Sequence, residues 1–426
     1  MSQSTLLKDI QILHGPNSPV KKDSVLIKEG LIFAFGKKAL AEAKKLNILP
    51  TPSSSNLLLA PCLVDPHSIL EEPVSGKSES LSSLCKAAAT CGYGQLALLP
   101  RSSSWRDRPE RLQGLVNHQN DVIIHLWGSF SLNGKGDVLS SHADLLQHGA
   151  IGLAEDDSIP PLELLQRGLL LGEMGTAPFL VAPRDKKLQG EGLVREGVET
   201  LRAGWPPDPI TSETLPLAEL IELNHLNKDK SLRLMNISTL KGVEMLKSSK
   251  NPPMSSVSWW HIVADRTTLN LTSLGWRVTP SLGGEQDRRS LINALKEGII
   301  TAIAVHSVPL DDEEIQLSPD KRIPGLAGHH LVLPLLWQEL IVKEKWSVDQ
   351  LWNSLSFGPS RLLKTRQEKI SPGSRRWLLF DPDHCWTQTR NSQNVPKAAN
   401  QPMEGCELKG KVIDCGLKNR EVDPSD

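Results

Sequence analysis

Few side chains in this sequence are equipped for chemistry, and most of them stand just past apolar runs. Asp65, His67, Glu71 and Glu72 follow a run at 57–64, Asp156-Asp157 follows one at 150–154, and His306 follows one at 299–305, with an acidic stretch at 311–314 beyond it. Histidine and carboxylate groups so placed are the material of divalent-metal sites and of general acid–base work. The six cysteines, at 62, 85, 91, 385, 406 and 415, include no C-x-x-C pair, so buried free thiols are expected rather than a zinc knuckle or a dithiol redox site. No G-x-S-x-G, G-x-G-x-x-G after a strand, P-loop or H-E-x-x-H is present. The N-x-S/T matches at Asn236 and Asn270 carry no weight in a chain expected in the cytoplasm.

The elements that must position these groups follow one pattern. Eight apolar runs, at 57–64, 93–99, 122–127, 150–154, 178–182, 232–237, 256–263 and 299–305, alternate with helix-period stretches at 81–90, 144–148, 160–171, 213–226, 240–248 and 288–296. Strands separated by crossover helices pair in parallel, and eight such units predict an α/β fold closed as a (β/α)8 TIM-like barrel. Chemistry in that architecture sits at the C-terminal ends of the strands. Residues 1–56 read as strands around Gly15-Pro16 and Glu29-Gly30, with a Ser/Pro stretch at 50–55. After Pro324-Gly325 come helical stretches at 331–342 and 348–355, then strands at 376–380 and 408–413. The expected division is a barrel at 57–360 beside one small β subdomain built from 1–56 and 361–426.

Charge narrows the partners. With 48 basic and 49 acidic residues among 426, the formal net charge is −1. Such a chain has no long-range field to gather phosphates or anionic lipid, so neither nucleic acid nor a membrane surface is expected as partner. The longest apolar runs, such as 331–337, fall far short of the ~20 residues that cross a bilayer, and Lys8 and Asp9 interrupt any signal-peptide core.

The stretch at 60–73, Ala-Pro-Cys-Leu-Val-Asp-Pro-His-Ser-Ile-Leu-Glu-Glu-Pro, resembles the dihydroorotase signature of the amidohydrolase superfamily, P-G-L-V-D-x-H-x-H-x-R-E-P, which ends the first barrel strand. The resemblance continues in order along the chain. Residues 149–158 resemble G-A-x-x-F-S-D-D-G, 232–239 resemble H-I-x-H-V-S-T, 277–287 resemble V-N-P-P-L-R-x-x-x-D, and 305–314 resemble D-H-A-P-H-x-x-E-E. Ile323-Pro324-Gly325-Leu326 resembles the loop that follows. The resemblance implies a barrel with a composite terminal β subdomain, and a zinc-dependent hydrolase that opens and closes the dihydroorotate ring in pyrimidine biosynthesis. A divalent ion lowers the pKa of water from 15.7 to about 7, which is worth roughly 12 kcal/mol in nucleophile availability.

Measured against that family, much of the chemistry is missing. His67 stands at the first histidine place and Ile69 at the second; residues i and i+2 of a strand project together, but isoleucine has no lone pair. Asp156-Asp157 keeps a carboxylate for the fourth strand, while Ala182 and Asn236 stand where the fifth and sixth strands have histidine. His306 occupies the place of the catalytic aspartate in one frame, and Val305 does in a frame shifted by one. Catalytic zinc is ordinarily held by three protein ligands plus water, so the residual candidates His67, Asp156, Asp157 and His306 predict no binuclear centre and no cofactor. At the family's substrate positions Glu71 replaces the carboxylate-pairing arginine, and Thr279 and Gly283 replace an asparagine and an arginine. A charge contact at ~4 Å and an effective dielectric of 20 is about 4 kcal/mol, so Glu71 is expected to repel an anionic substrate.

Most of these residues also have plain structural readings. His67 is expected to cap a buried strand and bond Asp65 or Asp157, and Asp156-Asp157 to accept loop N–H bonds. Trp259-Trp260-His261, where the family has T-P-H-H, is expected to fill a vacated cavity with indole bulk. His329-His330 are expected at the surface, and 311–314 as a solvated helix start. The leading expectation is therefore a non-catalytic dihydroorotase-like chain acting as a partner or regulatory subunit. The family includes inactive homologues that assemble with aspartate carbamoyltransferase, so that enzyme, or self-association, is the expected partnership. The alternative is a working dihydroorotase or other cyclic-amide hydrolase with one zinc on His67, Asp157 and His306. A third reading is a small-molecule binder with a Trp-lined mouth.

Overall fold

The computed structural model describes residues 4–51, 56–74, 76–116, 122–268, 273–390 and 395–417. Most of the Ser/Pro stretch and Asn270 lie outside them. In chain order the strands are β1 (Ser4–Ile12), β2 (Lys21–Lys28), β3 (Leu31–Phe35), β4 (Leu58–Pro61), β5 (Leu63–Ser68), β6 (Tyr93–Leu98), β7 (Ile123–Ser129) and β8 (Ala150–Ala154). They continue with β9 (Pro178–Val181), β10 (Val194–Arg195), β11 (Pro207–Asp208), β12 (Ser231–Leu234), β13 (Met254–Ser258), β14 (Ala302–Ala304), β15 (Trp377–Thr387) and β16 (Glu407–Cys415).

Eight strands form the barrel in the order β14-β13-β12-β9-β8-β7-β6-β5, every pairing parallel. They are short and mostly buried on both faces, as parallel strands covered by helices are, although β13 is serine-rich and the first residues of β7 and alternate residues of β12 are partly exposed. Backbone bonds bridge the seam between β14 and β5, from His306 N to His67 O at 3.1 Å and from Ile69 N to Ser307 O at 2.8 Å. The other large sheet has six strands in the order β16-β15-β4-β1-β2-β3, so the two ends of the chain meet in it. Its own core gathers Leu7, Ile10, Ile12, Val25, Ile27, Leu59, Trp377 and Leu379.

Two local expectations are corrected and a third is refined. The run at 57–64 is not one strand: Leu58–Pro61 joins the six-stranded sheet and Leu63–Ser68 the barrel. Both halves are fully buried, so their apolar pattern runs on across Cys62 without a break. The run at 256–263 ends as a strand at Ser258, and Trp260–Val263 is a helical turn. The helices after Pro324-Gly325 run on into π-helical segments, Trp337–Lys343 and Asn353–Phe357.

β5 itself is irregular where it matters. Its register against β6 shifts between Asp65 and Ser68, across Pro66, which has no N–H for the ladder. The carbonyls on and beside this strand are taken up by side chains: Trp127 Nε1 donates to Pro66 O, Trp352 Nε1 to Pro61 O and Ser356 Oγ to Cys62 O. Bulges of this kind re-aim side chains, and here the side chain beside the bulge is His67.

Candidate functional site at the barrel mouth

His67 leaves β5 and meets His306, which follows β14 across the seam. Their Nδ1 atoms are 3.1 Å apart with the rings nearly perpendicular, and His67 Nε2 lies 2.8 Å from Ser256 Oγ on β13. On its other edge, His306 Nε2 is 3.7 Å from Asp157 Oδ1, too long for a hydrogen bond. One set of tautomers suits every partner: the Ser256 hydroxyl donates to His67 Nε2, His67 Nδ1–H donates to His306 Nδ1, and His306 Nε2–H faces the carboxylate. Burial, and then the neighbouring His306, holds His67 well below the ordinary imidazole value. Burial also lowers His306 against the pull of Asp157. Both rings are therefore neutral at neutral pH. Ser256 is fully buried and does not line the mouth cavity, so this serine–histidine string orients rings and offers no nucleophile to a ligand.

The expected partners of His67 are thus corrected. Asp65 is engaged elsewhere, accepting from Ser68 Oγ at 2.5 Å, from Val305 N at 3.0 Å and from His329 Nε2 at 3.1 Å. His329-His330 are not surface residues: His329 is 1% exposed, and His330, bonded to Gln388, is pushed down to about 4 by burial. A carboxylate inside the seam needs donors from every side, and the start of the helix His329–Leu336 supplies one.

The acidic doublet is held by cations rather than by loop N–H groups. Asp156 pairs with Lys186 at 3.0 Å, and Asp157 lies 3.9 Å from Arg101. Burial would raise Asp157, but Arg184, His306, Lys186 and Arg101 outweigh it and hold the carboxyl below its usual range. The neighbouring Glu155 is buried and pushed up to about 7, although Ser131 N and Oγ donate to it. Glu71 is clamped by Arg101 through two bonds, at 3.0 and 2.7 Å. Its charge is thereby compensated, and the full repulsion expected of it is not realised.

Ile69 and Ala182 sit in one apolar cluster with Leu180, Met235 and Trp127. Ala182, Asn236, Thr279 and His306 line the mouth with Asp157 and Arg184, whereas Gly283 does not reach it and Val305 packs in the main core. The space between them is a cavity of about 10 Å³, room for about one water molecule. Trp259 and Trp260 are buried in the main core and do not line that cavity, so the mouth is not Trp-lined. His261 is buried beside the Ser281 and Pro280 backbone and pushed down to about 4. Asp311 caps the short turn Glu314–Gln316 by accepting from Glu313 N and Glu314 N.

Arg101 and Arg184 were not singled out by the sequence reading, although each stands two residues past an apolar run, the same signal that marked His67. Equally unforeseen is Arg195, which pairs with Asp208 inside the β10–β11 ribbon at 3.1 Å and reaches beyond it to Glu213 at 3.4 Å and Ser238 Oγ at 3.1 Å. Among the described residues, no group of three or more His, Cys, Asp or Glu side chains is arranged to hold a metal ion. Nor, among them, is any helix long and apolar enough to cross a membrane.

No family model matches the chain. A dihydroorotase-like protein of a Synechocystis species is 33% identical over 398 residues, covering 84% of this chain and 88% of that protein. The dihydroorotase of Elusimicrobium minutum is 24% identical over 416 residues, covering 96% of this chain and 94% of its own. Among solved structures, the L-hydantoinase of Arthrobacter aurescens superposes with a TM-score of 0.73 at 15% identity, over 97% of this chain and 94% of that one. That likeness extends to the fold, and the sequence relatives carry it further: the chain belongs to the dihydroorotase family of the amidohydrolase superfamily.

Proposed function

We propose that this chain is a non-catalytic member of its family that serves as a partner or regulatory subunit, with aspartate carbamoyltransferase the first partner to try. The observation that carries the reading is the direction of the donors at the mouth. The two Nδ1 atoms, 3.1 Å apart, could share an ion, but Asp157 faces the opposite edge of the His306 ring. No third donor joins the pair where the family has its other ligands, because Ile69 and Ala182 are apolar there and the Asn236 amide is a poor zinc ligand. This donor set does not fit catalytic zinc. A fold outlives its chemistry when its use rests on surface rather than on site.

Metal analysis of the chain purified without chelator, followed by a carbamoyl-aspartate cyclisation assay with and without added zinc, tests this reading. No bound zinc and no turnover are expected, and near-stoichiometric zinc with turnover would overturn it. Light scattering of the chain mixed with the transcarbamoylase tests the partnership, with a heavier joint species expected; two separate species would remove that partner. A second reading, a hydrolase with one metal, is favoured only by the closeness of His67, His306 and Asp157, and the same assay decides between them.

A further inference from the structure

One buried cation in the loops beside the mouth has no negative charge to balance it. Arg106, in the loop that leaves β6, is 1% exposed. Its Nη1 donates to Leu99 O and its Nη2 reaches Leu70 O at 3.4 Å, while its Nε has no partner. Two carbonyls thus take two of the five N–H groups that a guanidinium carries. The adjacent Asp107 is spent on Arg111, at 2.6 Å, and on Asn133 N. Burial, with no charged neighbour to offset it, pushes Arg106 down to about 10. Buried ions are ordinarily paired, and Arg195, buried to a similar degree, has both Asp208 and Glu213. Arg106 has no such carboxylate among the described residues.

Arg106 stands in the wall of an open cavity of about 380 Å³, within the size range of small-molecule sites. The rest of the lining describes what would fit. Pro73, Val74 and Leu115 supply apolar surface, and Val74 is 86% exposed with nothing covering it. Ser102 and Ser103 have already given their hydroxyl protons, to Ser104 O and Glu71 O, so their oxygens remain as acceptors. Glu72 and Glu110 also line the cavity, on its solvent side, and neither forms an ion pair among the described residues. A simple anion would be repelled by these two carboxylates, and a simple cation by Arg106. The lining therefore calls for a molecule that carries both signs.

We propose that this cavity binds a free α-amino acid with a small apolar side chain. Its carboxylate faces Arg106, whose planar fork suits a trigonal carboxylate. Its ammonium faces Glu72 and Glu110, and its side chain lies on Pro73, Val74 and Leu115. The cavity shares no lining residue with the one at the mouth, so the inference stands apart from any reading of the mouth's chemistry.

The test is a calorimetric titration of the full chain with L-valine as probe, beside isovalerate, which lacks valine's ammonium, and isobutylamine, which lacks its carboxylate. Saturable heat is expected with valine, and binding roughly tenfold weaker or less with each analogue. Arg106→Lys should weaken valine by a similar factor. The double variant Glu72→Gln with Glu110→Gln alters exposed side chains only, and should erase the preference for valine over isovalerate, a change that a purely structural Arg106 would not produce. Circular dichroism confirms that each variant is folded, and the double variant decides the matter if Arg106→Lys does not fold. The proposal is overturned by an absence of saturable heat with valine, by equal binding of valine and isobutylamine, or by a preference over isovalerate that the double variant leaves unchanged. A folded Arg106→Lys chain that binds valine as tightly as before overturns it too.

Discussion

The two ends of the barrel handle buried polarity in opposite ways. At the floor, where β6 and β7 begin, a cavity of about 690 Å³ is lined by groups that are bonded to one another. Gln95 Nε2 donates to Glu368 Oε1 at 2.7 Å, His125 Nε2–H donates to Gln95 Oε1 at 2.9 Å, and Arg376 holds Glu368 in a fork while also reaching Gly94 O. At the mouth the cavity is far smaller, yet Arg184, Asn236 and His306 line it unpaired. The comparison teaches that the size of a void is a poor guide to function. A satisfied network holds structure together, and an unsatisfied one marks a place where something else belongs.

Acid should strain the molecule most. His125 at the floor, His261 behind the mouth and His330 in the helix after the barrel are each pushed down to about 4 by burial. The unfolded chain, with ordinary values near 6.5, therefore binds more protons between about pH 4 and 6.5. Stability is fully present above that window and lost as pH falls through it, by up to ~3 kcal/mol for each histidine. Urea unfolding at several pH values checks this, and His125→Gln should remove the floor's share while leaving the rest. A flat profile would show that the floor is not a closed network.

The next largest effect separates the two ends directly. Glu368→Ala leaves Arg376 and Gln95 without their shared carboxylate, and should lower the unfolding free energy by ~3 kcal/mol. Arg184→Met removes a guanidinium that forms no hydrogen bond through Nε or Nη1 but helps to offset the buried Asp157 carboxyl, and should lower the unfolding free energy by ~1 kcal/mol, less than Glu368→Ala. Equal costs at the two positions would erase the contrast. The smallest effect belongs to Glu71→Ala, at most ~0.5 kcal/mol in the same denaturation assay, because the side chain is 43% exposed and its ion pair is screened by solvent.

The barrel was legible in the sequence because each strand had to be apolar on both faces and each helix on one, and those periods survive in the residues. What the periods could not show was where one sheet hands over to another within a continuous apolar stretch, as happens at Cys62. Nor could they pair His67 with His306, which lies 239 residues away. The lost ligand positions were readable one at a time, since Ile69 and Ala182 have no donor atoms whatever surrounds them. Arg101, which compensates Glu71, was hidden because the two meet only when the neighbouring strands β5 and β6 pair, 30 residues apart in the chain. The buried position of His329 was hidden for a related reason: the carboxylate that requires it sits at the opposite end of the chain order.

The indole bonds around the first barrel strand bear on how the protein can be watched. Trp127 and Trp352 grip carbonyls that flank the proline-bearing bulge, and Trp377 Nε1 does the same for Gly30 O in the six-stranded sheet. These rings are buried away from water, so their intrinsic emission will be blue-shifted while the sheets stay packed and will redden when either sheet opens to solvent. With eleven tryptophans and a single tyrosine, the chain carries its own optical gauge of whether its ends remain stitched to its barrel.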